Sequence, residues 1–310
     1  MRTFRIGVFA FFLGICMGDS PANPKLLTKP YVPPWAGLPD TPSLPTAIKS
    51  GQVHVDNETA IWYGFYGQQL SDTLDCGQIP VLFLHGGFAN SDYFGNQIRA
   101  LRHLPFTLMV IDSRGQGRST DGPGPITYDR MMGDVLAVLD HFQIPKVALV
   151  GWSDGAIIGF DIAMNHSSRL DRLFSFGGSY SFSNGNTTLE TNPIFNTYLQ
   201  RTELEYMLLN PNPEHWPELS AKMNEMWSTL PVWDQESFRH IPTLYSDQSA
   251  PLVWILDGDS EEVVNRTVPA ILHDWIPGSG LTILPSVSHF AFLQDPRTFT
   301  ALLLRFLEYE

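Results

Sequence analysis

Residues 146–155 read KVALVGWSDG: a short apolar run, a glycine, a tryptophan, a serine, an aspartate and a second glycine. A continuous apolar run of this length, without alternation, fits a strand buried on both faces. The next stretch, DGAIIGFDIAMNHSS (154–168), has helical period. A serine between a buried strand and a helix, flanked two residues away by glycines, fits the G-x-S-x-G elbow. The turn is too sharp for side chains at the glycine positions, and it lifts Ser153 to the top of the sheet. Its hydroxyl then lies at a helix N-terminus, where partial positive charge favours a developing anion.

The same strand–helix rhythm extends outward. PVLFLHGG (80–87), FTLMVIDSRGQG (106–117), RLFSFGG (172–178), PLVWILDGD (251–259) and LTILPSVSH (281–289) read as strands, and ITYDRMMGDVLAVLDHFQ (126–143) as a helix. QVHVDNETAIWYGFYG, before them, alternates like a hairpin, and ALLLRFLEYE closes the chain as a helix. The pattern implies an α/β fold: a mostly parallel central sheet with helices on both faces. Residues 180–246 break the rhythm with polar, Trp- and Met-rich helical sequence, which we expect to form a cap over the sheet. The core is then 51–179 and 247–310. Ligands of open α/β sheets sit beyond the carboxyl ends of the strands, so an insertion leaving from there covers the site.

The first 18 residues carry two arginines and an apolar stretch too short for a comfortable span, which reads as a secretory signal peptide. The expected location is therefore secreted or within the secretory pathway or envelope, with no membrane attachment after cleavage. Residues 19–50 are proline-rich and read as an extended arm. With Cys16 in the leader, Cys76 stands alone and no intrachain disulfide is expected. A net charge of −13 argues against nucleic acid, whose phosphates demand a basic footprint. A small-molecule substrate is expected, and the sequence leaves the oligomeric state open.

If Ser153 is a nucleophile, three further parts are needed. A tetrahedral intermediate needs two donors about 3 Å from its oxygen. One is expected from the N–H of Asp154 and the other from the HGG loop, at Gly87 with Phe88 as the alternative. The base belongs after the last strand, which singles out His289 from nine histidines. His85, in HGG, is expected to brace its loop. The acid should leave the strand at 251–259, where Asp257, Asp259, Glu261 and Glu262 crowd together, and one of them is needed to orient the base. Phe88, Trp152 and Phe290 flank these residues and are expected to wall the pocket with Asp154. Trp216, Trp227, Trp233, Met207, Met223 and Met226 of the insertion are expected to supply the rest. No Cys/His cluster suggests a metal, and no cofactor is implied.

Together HGGF (85–88), DSRGQGRS (112–119), GWSDG (151–155), DGDSEE (257–262) and SHFAFLQDP (288–296) resemble the α/β-hydrolase superfamily over roughly residues 50–310. GWSDG is similar to valacyclovir-hydrolase-like and enol-lactonase-like members. The resemblance implies a Ser-His-acid triad and places the acid three residues after a glycine. Counted from Gly258, that is Glu261, with Asp259 as the alternative. It also implies two readings of Asp154, as a partner for a substrate ammonium or as a first-turn helix acid, and the second is the simpler. Serine at 153 argues against epoxide hydrolases and dehalogenases, which use aspartate there. The expected activity is ester or lactone hydrolysis of a small, largely apolar substrate through an acyl-enzyme. Amide, peptide or carbon–carbon bond cleavage would use the same triad. A non-hydrolytic binding or biosynthetic role on this fold is the remaining alternative.

Overall fold

The computed structural model describes residues 32–245 and 247–309, and the expected leader and the beginning of the arm lie outside the described residues. The strands are β1 (Lys49–His54), β2 (Ala60–Gly67), β3 (Val81–Leu84), β4 (Thr107–Ile111), β5 (Val147–Trp152), β6 (Leu170–Phe176), β7 (Leu252–Gly258) and β8 (Gly280–Leu284). The α-helices are α1 (Leu70–Asp75), α2 (Gly95–Leu101), α3 (Tyr128–His141), α4 (Asp154–Asn165), α5 (Pro193–Leu209), α6 (Trp216–Thr229), α7 (Gln235–Phe238), α8 (Val268–Trp275), α9 (Ala291–Gln294) and α10 (Pro296–Leu307).

The strands form one sheet in the order β1-β2-β4-β3-β5-β6-β7-β8. β1 and β2 pair antiparallel, β2 meets β4 antiparallel, and the ladders from β4 through β8 are parallel. The apolar runs lack alternation because both faces are covered. Along β3, Leu82 and Leu84 enter one core with α3, α4 and α8, whereas Val81 and Phe83 enter a second with α2 and α10.

The strands are shorter than their apolar runs suggest. β3 stops at Leu84 and β4 at Ile111, so His85-Gly86-Gly87 and Asp112–Gly117 leave the sheet as loops at its carboxyl edge. Helix ends are chemically marked. Thr127 Oγ1 accepts from Arg130 N–H ahead of α3, and Asp295 Oδ1 from Thr298 N–H ahead of α10. Between β6 and β7 the chain forms α5, α6 and α7. Among the described residues, no helix is long and apolar enough to cross a membrane.

Candidate active site

β5 is buried along its whole length and delivers the chain to Ser153, whose φ is 55° and ψ −118°. The glycines on either side leave no room for a side chain. A Cβ on Gly151 would lie 2.4 Å from the Gly155 carbonyl, and one on Gly155 would lie 2.1 Å from that of Leu84. The turn is pinned by Ser153 N–H donating to Phe176 O at 2.9 Å. Asp154 opens α4, so its N–H has no helical carbonyl before it.

His289 follows β8 and is buried. Its Nδ1 lies 2.8 Å from Glu261 Oε2, while Glu261 Oε1 accepts from Val263 and Val264 N–H at 2.6 and 3.1 Å. The structure therefore brings His289 and Glu261 together. Asp259 is exposed and turns away, accepting from Ser286 N–H at 2.9 Å and from the Ser260 hydroxyl. Both residues lie past the end of β7, with Asp259 in the turn that follows it, and only Glu261 reaches the imidazole. Glu262, another of the four acids that crowd after this strand, is buried as well. It accepts from His289 N–H and the Ser288 hydroxyl, both at 3.0 Å, and so fixes the backbone of the histidine. Two consecutive glutamates after a buried strand were the available signal for it.

Burial lowers the pKa of His289 below its ordinary value, against the charges of Glu262, Asp257 and Asp154. Burial raises that of Glu261, while its hydrogen bonds, including one with Asp257, oppose the rise. Asp257 is also buried, and burial with the neighbouring Glu261 charge pushes its pKa well up. Two carboxyls joined by a hydrogen bond share one proton. Here the bond raises the pKa of Asp257 and lowers that of Glu261, while Gly258 N–H donates to Asp257 Oδ1 at 2.8 Å and Val263 and Val264 N–H donate to Glu261.

The HGG loop is braced by His85, which sits between Gly86 O at 2.7 Å and Ser113 N–H at 2.9 Å. Gly87 N–H has no partner among the described residues. The alternative donor, Phe88 N–H, is already committed to Gln116 Oε1 at 2.6 Å. The pair of free donors at this edge is therefore Gly87 and Asp154.

The Asp154 side chain does not behave as a simple helix-end acid. It is buried and accepts from Tyr128 OH at 2.8 Å and from Trp227 Nε1 at 3.0 and 3.1 Å. Burial pushes its pKa up to about 6, against those hydrogen bonds.

Ser153, His289, Gly87, Asp154 and Trp152 line one cavity with residues of the segment between β6 and β7, among them Tyr198 and Trp227. Phe88 and Phe290 are not on its wall. Phe88 has φ 63°, which turns its ring onto Trp216 and Trp227 at 5.0 and 4.9 Å between centroids. Phe290 is fully buried behind Trp152 and Tyr198. Of the expected aromatics and methionines of the insertion, Trp227 alone lines the cavity. Trp216 and Trp233 pack on the core, Met223 and Met226 are buried in it, and Met207 is exposed. Among the described residues, no lysine or arginine lines the cavity. Tyr128 and Tyr198, which do, carried no local sequence signal.

An imidazole held at Nδ1 by a carboxylate presents Nε2 for proton transfer, the arrangement of a general base. Among the described residues, no group of three His, Cys, Asp or Glu side chains is placed to hold a metal ion.

The family profile described as alpha/beta hydrolase fold matches residues 79–229, the stretch that holds the HGG loop and the Ser153 turn. The chain belongs to the α/β-hydrolase superfamily. This α/β-hydrolase is 26% identical to human serine hydrolase BPHL over 245 residues, covering 75% of this chain and 80% of that one. It is 25% identical to the pimeloyl–acyl-carrier-protein methyl ester esterase of Pectobacterium atrosepticum over 258 residues, covering 76% and 97%. Among solved structures, the enol-lactonase of Burkholderia xenovorans superposes with a TM-score of 0.61 at 18% identity, covering 83% and 99%. That likeness speaks for the fold. As a family, these relatives are hydrolases.

Proposed function

We propose that this protein is a serine hydrolase that cleaves a neutral, largely apolar ester or lactone. The observation that carries the reading is the 2.8 Å contact of His289 Nδ1 with Glu261, with His289 and Ser153 on the wall of one cavity. In this reading Ser153 Oγ attacks the carbonyl carbon and its proton passes to His289 Nε2. Glu261 holds the imidazole in the required tautomer and steadies the imidazolium. The N–H groups of Gly87 and Asp154 receive the oxyanion. The intermediate collapses as the leaving alkoxide takes the proton from Nε2, and water repeats the sequence on the acyl-enzyme.

Charge narrows the substrate. Among the described residues a substrate carboxylate finds no lysine or arginine on the wall, and it meets the Asp154 carboxyl instead. The esterase among the relatives supports the bond type, and amide and carbon–carbon cleavage are separated from it by substrate trial.

The test is labelling with a fluorophosphonate probe, followed by hydrolysis of p-nitrophenyl butyrate and of a p-nitrophenyl monoester of succinate. We expect labelling of the wild type and none of Ser153→Ala. Turnover of the neutral ester should be at least about tenfold above that of the anionic one. A folded wild type that takes no label, or a Ser153→Ala variant that labels equally, sinks the proposal.

A further inference from the structure

Asp257 is buried and titratable, and it has no part in the passage of the Ser153 proton to His289. It is the last but one residue of β7 and 2% exposed, and Glu261 follows four positions later at 1%. A hydrogen bond joins the two carboxyls. Ionised carboxylates only accept, so that bond requires one of the pair to be an acid. Among the described residues neither has a lysine or arginine as an ion-pair partner. The cation-forming neighbour of the pair is His289, which is neutral when it acts as base. Two buried carboxyls in this position hold a single negative charge between them.

The donors place that charge. Glu261 accepts from Val263 and Val264 N–H on one oxygen, and its other oxygen faces His289 Nδ1, a donor in the tautomer that leaves Nε2 free. One backbone donor, Gly258 N–H, reaches Asp257. Three donors against one favour the anion on Glu261 and the proton on Asp257. The frame around them is fixed. Asp259 N–H donates to Leu284 O and Ser260 N–H to Val287 O, and a Cβ on Gly258 would lie 2.5 Å from Val287 O. The turn from Asp257 to Glu261 is therefore locked to the segment that carries His289.

We propose that Asp257 stands as the neutral acid beside Glu261 and is a positioning residue for it: the Asp257 O–H donates to Glu261, holds that side chain as a carboxylate and so keeps it fit to orient His289. The assignment rests on the serine-hydrolase reading above. The reverse arrangement, with the proton on Glu261, weakens its hold on the imidazolium that forms during acyl transfer. Burial and the Glu261 charge push the pKa of Asp257 well up, which keeps the donor in place through neutral pH. The other titratable groups around the pair and its histidine are Glu262 from the same turn and Asp154 from α4.

The experiment takes wild type, Asp257→Asn and Asp257→Leu through pH profiles of kcat/KM on p-nitrophenyl butyrate, and through infrared spectra in water and heavy water. The asparagine amide keeps a donor toward Glu261, and leucine removes it. Without its donor Glu261 takes up a proton earlier on acidification. We therefore expect Asp257→Leu to lose about tenfold to a hundredfold at pH 6, with the acid limb moved up by about one unit or more and the loss shrinking toward pH 9. Asp257→Asn should stand at least about fivefold above leucine at pH 6, with its acid limb within about 0.3 unit of wild type. The spectrum of wild type minus Asp257→Asn at pH 8 should hold a carboxylic acid C=O band that shifts in heavy water. An acid limb that moves down by about one unit in either variant shows that Asp257 carries the charge in the wild type, and overturns the assignment. A missing band means two anions and also overturns it. So does a leucine loss that is the same at pH 6 and pH 9, which marks a structural residue. Where leucine does not fold, the asparagine limb and the band decide. A wild type that takes no Ser153-dependent fluorophosphonate label overturns the hydrolase reading and the positioning role with it. A labelled wild type without the band overturns this assignment alone.

Discussion

A backbone at φ 55° and ψ −118° costs a residue with a side chain of order 1–3 kcal/mol, and Ser153 holds it at the end of a fully buried strand. The surroundings over-determine it through the two glycines and the bond to Phe176 O. That geometry is why Ser153 was legible in the sequence: strand, glycine spacing and helix all had to agree. Glu261 was legible only through the family resemblance, which places the acid three residues after a glycine, here Gly258. The partners of Asp154 were not, because Tyr128 and Trp227 stand 26 and 73 positions away and meet it only in the fold. Two predictions belong at this scale. Glu261→Gln should lower kcat about 10³- to 10⁴-fold, since an amide supports the wrong tautomer of His289, and Asp259→Asn should stay within about twofold of wild type. Steady-state kinetics of the two purified variants decides this, and equal losses would count against Glu261. The second concerns pH. The base works when neutral, and burial lowers the pKa of His289 below the ordinary 6.5. Protonation therefore sets in later on acidification, and the acid limb of kcat/KM should have its midpoint below pH 6.5. A midpoint near 7 in the measured profile contradicts it.

At the level of helices and strands, apolar period identified the sheet and the helical nature of the segment between β6 and β7. It did not say which aromatic would face the cavity. α6 meets both the core and the cavity, so Trp216 and Trp227, both apolar by type, were indistinguishable. Trp227 is the one whose ring nitrogen reaches Asp154. This bond joins α6 to the first residue of α4. Trp227→Phe should remove one of two donors to a buried carboxyl and lower stability by about 1–3 kcal/mol. The sign with pH comes from the group. The lost N–H favours the carboxylate anion, and Asp154 has been pushed up to about 6. The deficit should be larger at pH 8 than at pH 5. Calorimetric melting at both values checks it, and an equal or reversed deficit argues against the Asp154 bond as its source.

Across the whole molecule, distant segments meet through buried charge. Arg114, in the loop after β4, is buried and donates to both carboxylate oxygens of Asp134 on α3 and to Thr59, just before β2. Asp56, in the β1–β2 turn, adds a contact at 3.3 Å. Arg114→Met leaves Asp134 buried without its partner and should cost about 3–5 kcal/mol, read from denaturant unfolding. A loss under about 1 kcal/mol would show that water reaches Asp134. The sequence showed Arg114 inside DSRGQGRS but not its reach. Strand order was equally illegible, because β4 lies between β2 and β3 and no linear pattern encodes that exchange. The N-terminal segment meets the far end of the chain too, with Trp35 N–H on Ser286 O and Gln294 on the Gly37 carbonyl.

Trp152 lines the cavity with its ring centroid 5.8 Å from that of His289. An imidazolium quenches indole emission by electron transfer, and a neutral imidazole does so far less. The protein therefore carries its own optical reporter beside the base. The Trp152 share of its fluorescence should titrate with the histidine and lose that dependence when His289 is replaced, so that the charge state of the imidazole can be followed by light without substrate.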